Sequence, residues 1–317
     1  MRIAVVGAGA IGGWVAARLA TGGQQVTVVA RGATLLAIRD NGLTVMEGGE
    51  SATATVTASD DLGAVGAHDL LILAVKAPAL ADAARWAAPL IGPETLILPM
   101  LNGVPWWFVN GEPLQSVDPG GRIAGALPVR QVIGCVVHAA CSRSAPGFIE
   151  VQHAERLILG EPGGTVSERV QQLCALFGTA SIRADASANI RQAIWYKLWG
   201  NATINPLSAL TRATADRLLD NAALRSFMRE AMAELAEIGA AIGCPIAESG
   251  EDRMQVTARL GAFRTSMLQD VEAGRPIELD ALLGAPREIA RRTGIATPKL
   301  DMLCAMTGEM GANLGLL

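Results

Sequence analysis

The chain has 317 residues, half of them hydrophobic and 18% charged, with a net charge of −4. That length supports two domains and a sizeable core, and the composition excludes a disordered chain. With a pI near 5.5 and no basic cluster, a nucleic-acid partner is excluded as well.

The first apolar run, Arg2–Val6, starts at once and leaves no room for a signal peptide, so a cytoplasmic protein is expected. Apolar stretches such as Ile238–Ala247 are too short to span a bilayer. The five cysteines lack Cys-x-x-Cys spacing, which indicates neither a disulfide framework nor a zinc site. Asn201-Ala202-Thr203 matches the glycosylation pattern, an accident in a protein that is not secreted.

Up to about residue 185, short β-branched runs alternate with helical stretches, the mark of a parallel α/β sheet. Predicted strands are Arg2–Val6, Val26–Ala30, Asp69–Val75, Thr95–Leu98, Ile133–His138, Phe148–Val151 and Arg156–Leu159, the last three closing the domain in antiparallel fashion. Beyond residue 186, Asn221–Ile242, Glu278–Arg292 and Pro298–Met310 read as long helices. The expected division is 1–185 and 186–317, the second domain all-α. No Pro/Ser-rich linker separates them, so close packing of the domains around a cleft is expected. The apolar helical domain is compatible with a homodimer.

Gly7-Ala8-Gly9-Ala10-Ile11-Gly12 follows the first strand and opens a helical stretch. The first glycine permits a tight turn, the second lets backbone approach a pyrophosphate, and the third lets helix and strand pack closely. The helix N-terminus adds free N–H groups and a positive dipole end. This context makes the first domain a Rossmann-type, doubly wound dinucleotide-binding fold. An NAD site would carry an acid at the end of the second strand, whereas here Val28-Val29-Ala30 runs into Arg31. A guanidinium can hold a 2′-phosphate with two hydrogen bonds, so NADPH is the expected cofactor. Lys76 and Asn102 follow further predicted strands, at the edge where such sheets bind ligands. Read blandly, they are a solvated strand end and an Asn-Gly turn.

In Arg191–Leu207, Lys197, Asn201 and Asn205 recur every four residues. On a helix they form one stripe, an ammonium and two carboxamides spread over roughly 12 Å. The flanking Ile194, Trp195, Leu198, Trp199 and Ile204 make this helix largely buried, so the amides need partners in protein or ligand. Pro206 is expected to kink or end the helix after Asn205. Downstream, Ser266 with Gln269 fits a capping box and Glu278 a helix N-terminus. A short-chain dehydrogenase is excluded, because the only tyrosine, Tyr196, directly precedes Lys197. All three histidines lie in the first domain, and His138 reads as a strand residue.

Taken together, GAGAIGG, Arg31, Lys76, Asn102-Gly103, KLWGNATINPL and TSMLQD…GRPIELD resemble the ketopantoate reductase (2-dehydropantoate 2-reductase) family over nearly the whole chain. The resemblance implies NADPH-dependent reduction of a small 2-ketoacid, ketopantoate to pantoate, in pantothenate and coenzyme A biosynthesis. By the same resemblance Lys197 is the general acid and Glu278 its partner. Asn201 and Asn205 hold the hydroxyl and carbonyl end of the substrate, and Ser266 its carboxylate. Gly7, Gly9, Ala10, Ile11, Gly12, Arg31 and Lys76 bind the cofactor, with Asn102 beside nicotinamide and substrate. Two departures stand out: Ala77-Pro78-Ala79 where the family often has a glutamine, and the bulky Val104-Pro105-Trp106-Trp107 where a polar Gly-rich stretch is common. If that loop lines the pocket, a larger or more apolar substrate is expected. A β-hydroxyacid dehydrogenase also uses a Lys-x-x-x-Asn helix, but Ser266, Glu278 and the second asparagine favour the first reading. The third alternative, a non-catalytic NADP-binding redox sensor, would not need the Lys197–Glu278 set.

Overall fold

A computed structural model describes residues 1–317. The chain divides into two compact units, Met1–Leu101 with Arg122–Ile190, and Asn102–Gly121 with Arg191–Leu317.

The first unit contains two five-stranded sheets and the helices α1 (Ala10–Thr21), α2 (Gly32–Asn41), α3 (Leu62–Val65), α4 (Leu80–Trp86), α5 (Arg122–Ala126) and α6 (Glu168–Thr179). In the first sheet β1 (Arg2–Val6), β2 (Gln25–Val29), β5 (Thr57–Ser59), β6 (His68–Leu73) and β7 (Ile91–Pro99) run parallel in the order β5-β2-β1-β6-β7. Order reverses on either side of β1, the arrangement of a doubly wound sheet. Central strands of such a sheet are covered on both faces and read as continuous apolar runs. Accordingly Ile3, Ala4 and Val5 in β1 and Leu70, Leu71, Ile72 and Leu73 in β6 are fully buried.

The second sheet has the order β10-β9-β3-β4, formed by β10 (Ala184–Ala186), β9 (Phe148–Gly160), β3 (Leu43–Glu47) and β4 (Glu50–Ala54), with β8 (Gly134–Ala145) antiparallel to β9. Helix α1 packs on β1 and β2 of the first sheet and on β3, β8 and β9 of the second. Its small residues make this possible: a Cβ on Gly13 would fall 2.7 Å from the Ile149 side chain.

Several sequence expectations change here. Phe148–Val151 and Arg156–Leu159 are one strand, because β8 pairs with it throughout and absorbs the polar middle with register shifts near His138 and Ala140. Strand β6 ends at Leu73, not Val75, and Lys76 sits at the entrance of a 3₁₀ turn, Ala77–Ala79.

The second unit is built from α7 (Ile190–Thr211), α8 (Ala215–Asp220), α9 (Ala222–Ala241), α10 (Gly250–Ala258), α11 (Ser266–Glu272), a π-helical turn Asp280–Gly284, α12 (Ala285–Thr293) and α13 (Pro298–Asn313). Its core forms where α7 meets α9. The Trp195 and Trp199 indole N–H groups donate to the carbonyls of Leu235 and Met232 at 3.1 and 2.8 Å. Pro206 does not end α7, which continues to Thr211. Ala202, Leu207 and Ala209 around it are buried, so packing outweighs the one backbone hydrogen bond that proline removes.

The contiguous 1–185/186–317 division differs from these units in two places. Asn102–Gly121 belongs with the helices, and the boundary falls after Ile190. Gly160 in β9 packs so closely on Ser187 and Ile190 that a Cβ there would fall 2.7 and 2.8 Å from them. No helix is long and apolar enough to cross a membrane.

Candidate active site

In the first unit, the turn between β1 and α1 has the shape the glycine spacing requires. Gly7 adopts φ +102°, and a Cβ there would fall 2.6 Å from the Ala74 carbonyl oxygen. A Cβ on Gly12 would fall 1.9 Å from the Gly7 carbonyl oxygen, so neither position tolerates a side chain. Gly9 is different: nothing lies within 4 Å of where its Cβ would be, which leaves the backbone open to a ligand. Gly9 is the N-cap of α1 without a side-chain cap, and no acid lies in the first turn. The first intrahelical bond runs from Gly13 N–H to Gly9 C=O, so the N–H groups of Ala10, Ile11 and Gly12 have no acceptor in the helix. An open backbone and free donors at a positive helix end fit a pyrophosphate.

Arg31 is the N-cap residue of α2 and exposed. Its guanidinium lies over the Trp86 ring, 4.7 Å from the centroid. Trp86 thus braces Arg31 at the end of β2 without consuming its hydrogen-bond donors. Sequence reading did not single out Trp86, because nothing local links it to Arg31.

The remaining candidates gather in the second unit. The Asn201 amide on α7 donates to the Asn102 side-chain oxygen at 3.0 Å. The Asn205 amide, one turn further, points to the Ser266 hydroxyl at 3.5 Å, and Asn205 is only 4% exposed. Helical spacing therefore carries two amides to two partners about 100 and 60 residues away in sequence. Lys197 lies one turn before Asn201 on the same face and is half-buried.

Ser266 is not the capping residue. The N-cap of α11 is the buried Thr265, whose hydroxyl accepts from Leu268 N–H at 3.2 Å, and Gln269 donates to the Arg264 carbonyl. The cap is displaced by one residue because Thr265 occupies the extended conformation a cap requires, which leaves the exposed Ser266 hydroxyl outside it. Glu278 is half-buried at the entry to the π turn, and its carbonyl accepts from Leu282 N–H at 3.2 Å. The turn carries Asn102 as well. Val104 N–H donates to the Ala281 carbonyl at 2.9 Å, and a Cβ on Gly103 (φ +81°) would fall 2.4 Å from that oxygen. One π turn therefore orders both the Glu278 and the Asn102 backbone; such turns recur at functional sites.

Beyond Asn102, Trp106 and Trp107 are core side chains, 3% and 6% exposed, with indole N–H groups that find no partner. Phe108 stacks on Trp195 with ring centroids 5.8 Å apart. The bulk of this loop is thus invested in anchoring the segment to the helices. A second anchor escaped the sequence reading. The buried Glu288 carboxylate accepts from Gln115 N–H, Ser116 N–H and the Ser116 hydroxyl at 3.0, 2.9 and 2.7 Å.

Comparisons with known proteins show the family. Residues 3–164 match the sequence profile described as Ketopantoate reductase PanE/ApbA, and residues 189–310 that of Ketopantoate reductase PanE/ApbA C terminal. The 2-dehydropantoate 2-reductase of Mesorhizobium japonicum is 40% identical, over 99% of both chains. The crystal structure of a candidate ketopantoate reductase from Ralstonia solanacearum MolK2 superposes with a TM-score of 0.97 at 49% identity, covering 100% of this chain and 99% of that one. D-mandelate dehydrogenase, in a ternary structure with NADH and anilino(oxo)acetate, has a TM-score of 0.87 over the whole of both chains, a likeness of fold alone at 21% identity. The chain belongs to the ketopantoate reductase family, pyridine-nucleotide oxidoreductases that act on CH–OH groups.

Proposed function

We propose that the protein reduces ketopantoate to pantoate with NADPH, in the cytoplasm, as a step of pantothenate and coenzyme A biosynthesis. The observation that carries this reading is the set of polar side chains on and around one face of α7: Lys197, Asn201 with Asn102, and Asn205 with Ser266. When bound, NADPH supplies the hydride that adds to the ketone carbon. Lys197 donates a proton to the ketone oxygen as negative charge builds there, and Glu278 orients the ammonium and offsets its desolvation. Asn201 and Asn205 orient the substrate's hydroxyl and carbonyl end, and Ser266 donates to its carboxylate. Gly7, Gly9, Ala10, Ile11 and Gly12 hold the pyrophosphate, with Lys76 and Asn102 completing the cofactor contacts.

A panel of 2-ketoacids with NADPH tests the substrate. Ketopantoate is expected to give the highest kcat/KM. Turnover of another 2-ketoacid with none for ketopantoate would keep the chemistry and change the substrate.

The cofactor preference rests on Arg31, for which no acid substitutes at the end of β2. Arg31→Asp should raise the KM for NADPH by roughly 10-fold or more, the loss of a charge-assisted pair, and leave that for NADH nearly unchanged. Equal effects on both cofactors in steady-state kinetics would refute its phosphate role.

A further inference from the structure

Arg253 in α10 is half-buried, and the chain gives its guanidinium no counter-ion. Its Nε is buried without a hydrogen-bond partner, and its charge faces the Tyr196 ring, 5.7 Å from the centroid. Among other half-buried arginines, Arg18 pairs with Glu47, Arg169 with Glu161 and Arg287 with Asp301, whereas Arg191, over the Phe108 ring, shares the unpartnered Nε of Arg253 but has no glycine seat. Glu248, the acid beside Tyr196, accepts instead from the Tyr196 hydroxyl at 2.8 Å. A partly desolvated cation without a partner is costly, and a planar guanidinium presents two parallel donors that match a carboxylate.

The seat of this guanidinium is built into α7. A Cβ on Gly200 would fall 3.0 Å from Arg253 Nη2 and 3.1 Å from Nε. A glycine inside a helix costs about 1 kcal/mol relative to alanine, and here its bare backbone lets the guanidinium lie against the helix. Gly200 stands four residues after Tyr196 and three after Lys197, the separations at which side chains on a helix are neighbours. The guanidinium therefore occupies the lane beside the Lys197–Asn201–Asn205 stripe. In a 2-ketoacid the carboxylate is bonded directly to the carbonyl carbon that is reduced. A cation next to the proton donor is placed to meet it.

We propose that Arg253, seated on Gly200 and Tyr196, binds the carboxylate of the 2-ketoacid beside Lys197; this rests on the reading of Lys197 as proton donor. Ser266 then contributes a neutral hydrogen bond, and Arg253 the charge.

Two measurements test it. In steady-state kinetics of the holoenzyme, Arg253→Gln should raise the KM for the 2-ketoacid roughly 10- to 100-fold, the value of a hydrogen bond to a charged group. Both kcat and the KM for NADPH should change little, and Arg253→Lys should recover part of the loss, because it restores charge without the fork. The second measurement does not depend on turnover. Tyr196 is the only tyrosine, so its ionisation is visible in ultraviolet absorbance. Burial and the Glu248 contact push its hydroxyl up, while the Arg253 charge pulls it back down. A carboxylate bound to Arg253 cancels that pull, so saturating ketopantoate or pyruvate should shift the Tyr196 titration further upward in the wild type and not in Arg253→Gln. An unchanged 2-ketoacid KM, or a rise confined to NADPH, overturns the proposal. If Arg253→Gln does not fold, an unmoved Tyr196 titration in the wild type overturns it equally. A Tyr196 shift in a protein that reduces no 2-ketoacid would sink the reductase reading and leave the carboxylate site standing.

Discussion

On the proposed mechanism Lys197→Ala should lose turnover by a factor on the order of 10³ while still binding NADPH, the range seen when a general acid or an oxyanion donor is removed. Hydride addition would convert a neutral ketone oxygen into an alkoxide, and in the proposed mechanism the ammonium of the half-buried Lys197 on α7 meets that charge. Asn201, held by Asn102 at 3.0 Å, and Asn205, directed to Ser266, cannot replace it, because an amide offers a dipole but no transferable proton. The variant is expected to stay folded. Alanine is the strongest helix former, and α7 is secured through Trp195 and Trp199 on its other side. Cofactor binding is checked by NADPH fluorescence and turnover by absorbance at saturating 2-ketoacid. Unimpaired turnover would remove Lys197 from the chemistry, and loss of NADPH binding alongside would show that the effect is not confined to the proton.

How far the sequence reaches depends on the distance over which each feature is determined. The β1–α1 turn is a local matter: Gly12 has no room for a side chain because of Gly7, five residues earlier, so the pattern is written within one short stretch. The α7 stripe is local too, a consequence of helical period, and it survives Pro206 because the surrounding side chains are buried. The second sheet is not local. Thr44 in β3 pairs with Phe148 in β9, about a hundred residues on, and no pattern within β3 announces its partner. The long β9 strand reads as two because the exposed Gln152, His153 and Glu155 interrupt the apolar run. The membership of Asn102–Gly121 was hidden for the same reason, since its anchors Ala281 and Glu288 lie more than 170 residues downstream. Trp106 and Trp107 read as a bulky loop, whereas the fold uses them as core. Arg253 carried no signal at all: an arginine on a polar stretch is unremarkable until a helix glycine and a tyrosine are found beneath it.

Glu288→Ala should destabilise the protein by roughly 2 kcal/mol, the cost of leaving two backbone N–H groups, the Ser116 hydroxyl and the partly exposed Arg292 guanidinium without their shared acceptor. Two backbone N–H groups and the Ser116 hydroxyl end on this carboxylate, and Arg292 donates to it at 2.7 Å while also reaching the Glu112 and Pro113 carbonyls at 2.7 and 2.8 Å. Burial opposes the charge, yet the donors from Ser116, Gln115 and Arg292 together hold the carboxyl below its ordinary range. The sign of the pH dependence follows. Because the folded carboxyl is the stronger acid, its stabilisation is fully present above the unfolded value, about 4.3, and is lost as pH falls through the lower folded value. Glu288→Gln keeps the shape and one acceptor but cannot titrate. Its stability, measured by urea midpoints between about pH 6 and pH 3, should therefore fall less steeply with acid than that of the wild type. Parallel curves would show that the carboxylate does not clamp the segment as an anion. The same clamp bears on activity, since the segment it fastens begins with Asn102, the partner of Asn201. Loosening one end of that segment should raise the KM for the 2-ketoacid in Glu288→Gln more than it lowers kcat, because Lys197 stands on α7, outside the segment.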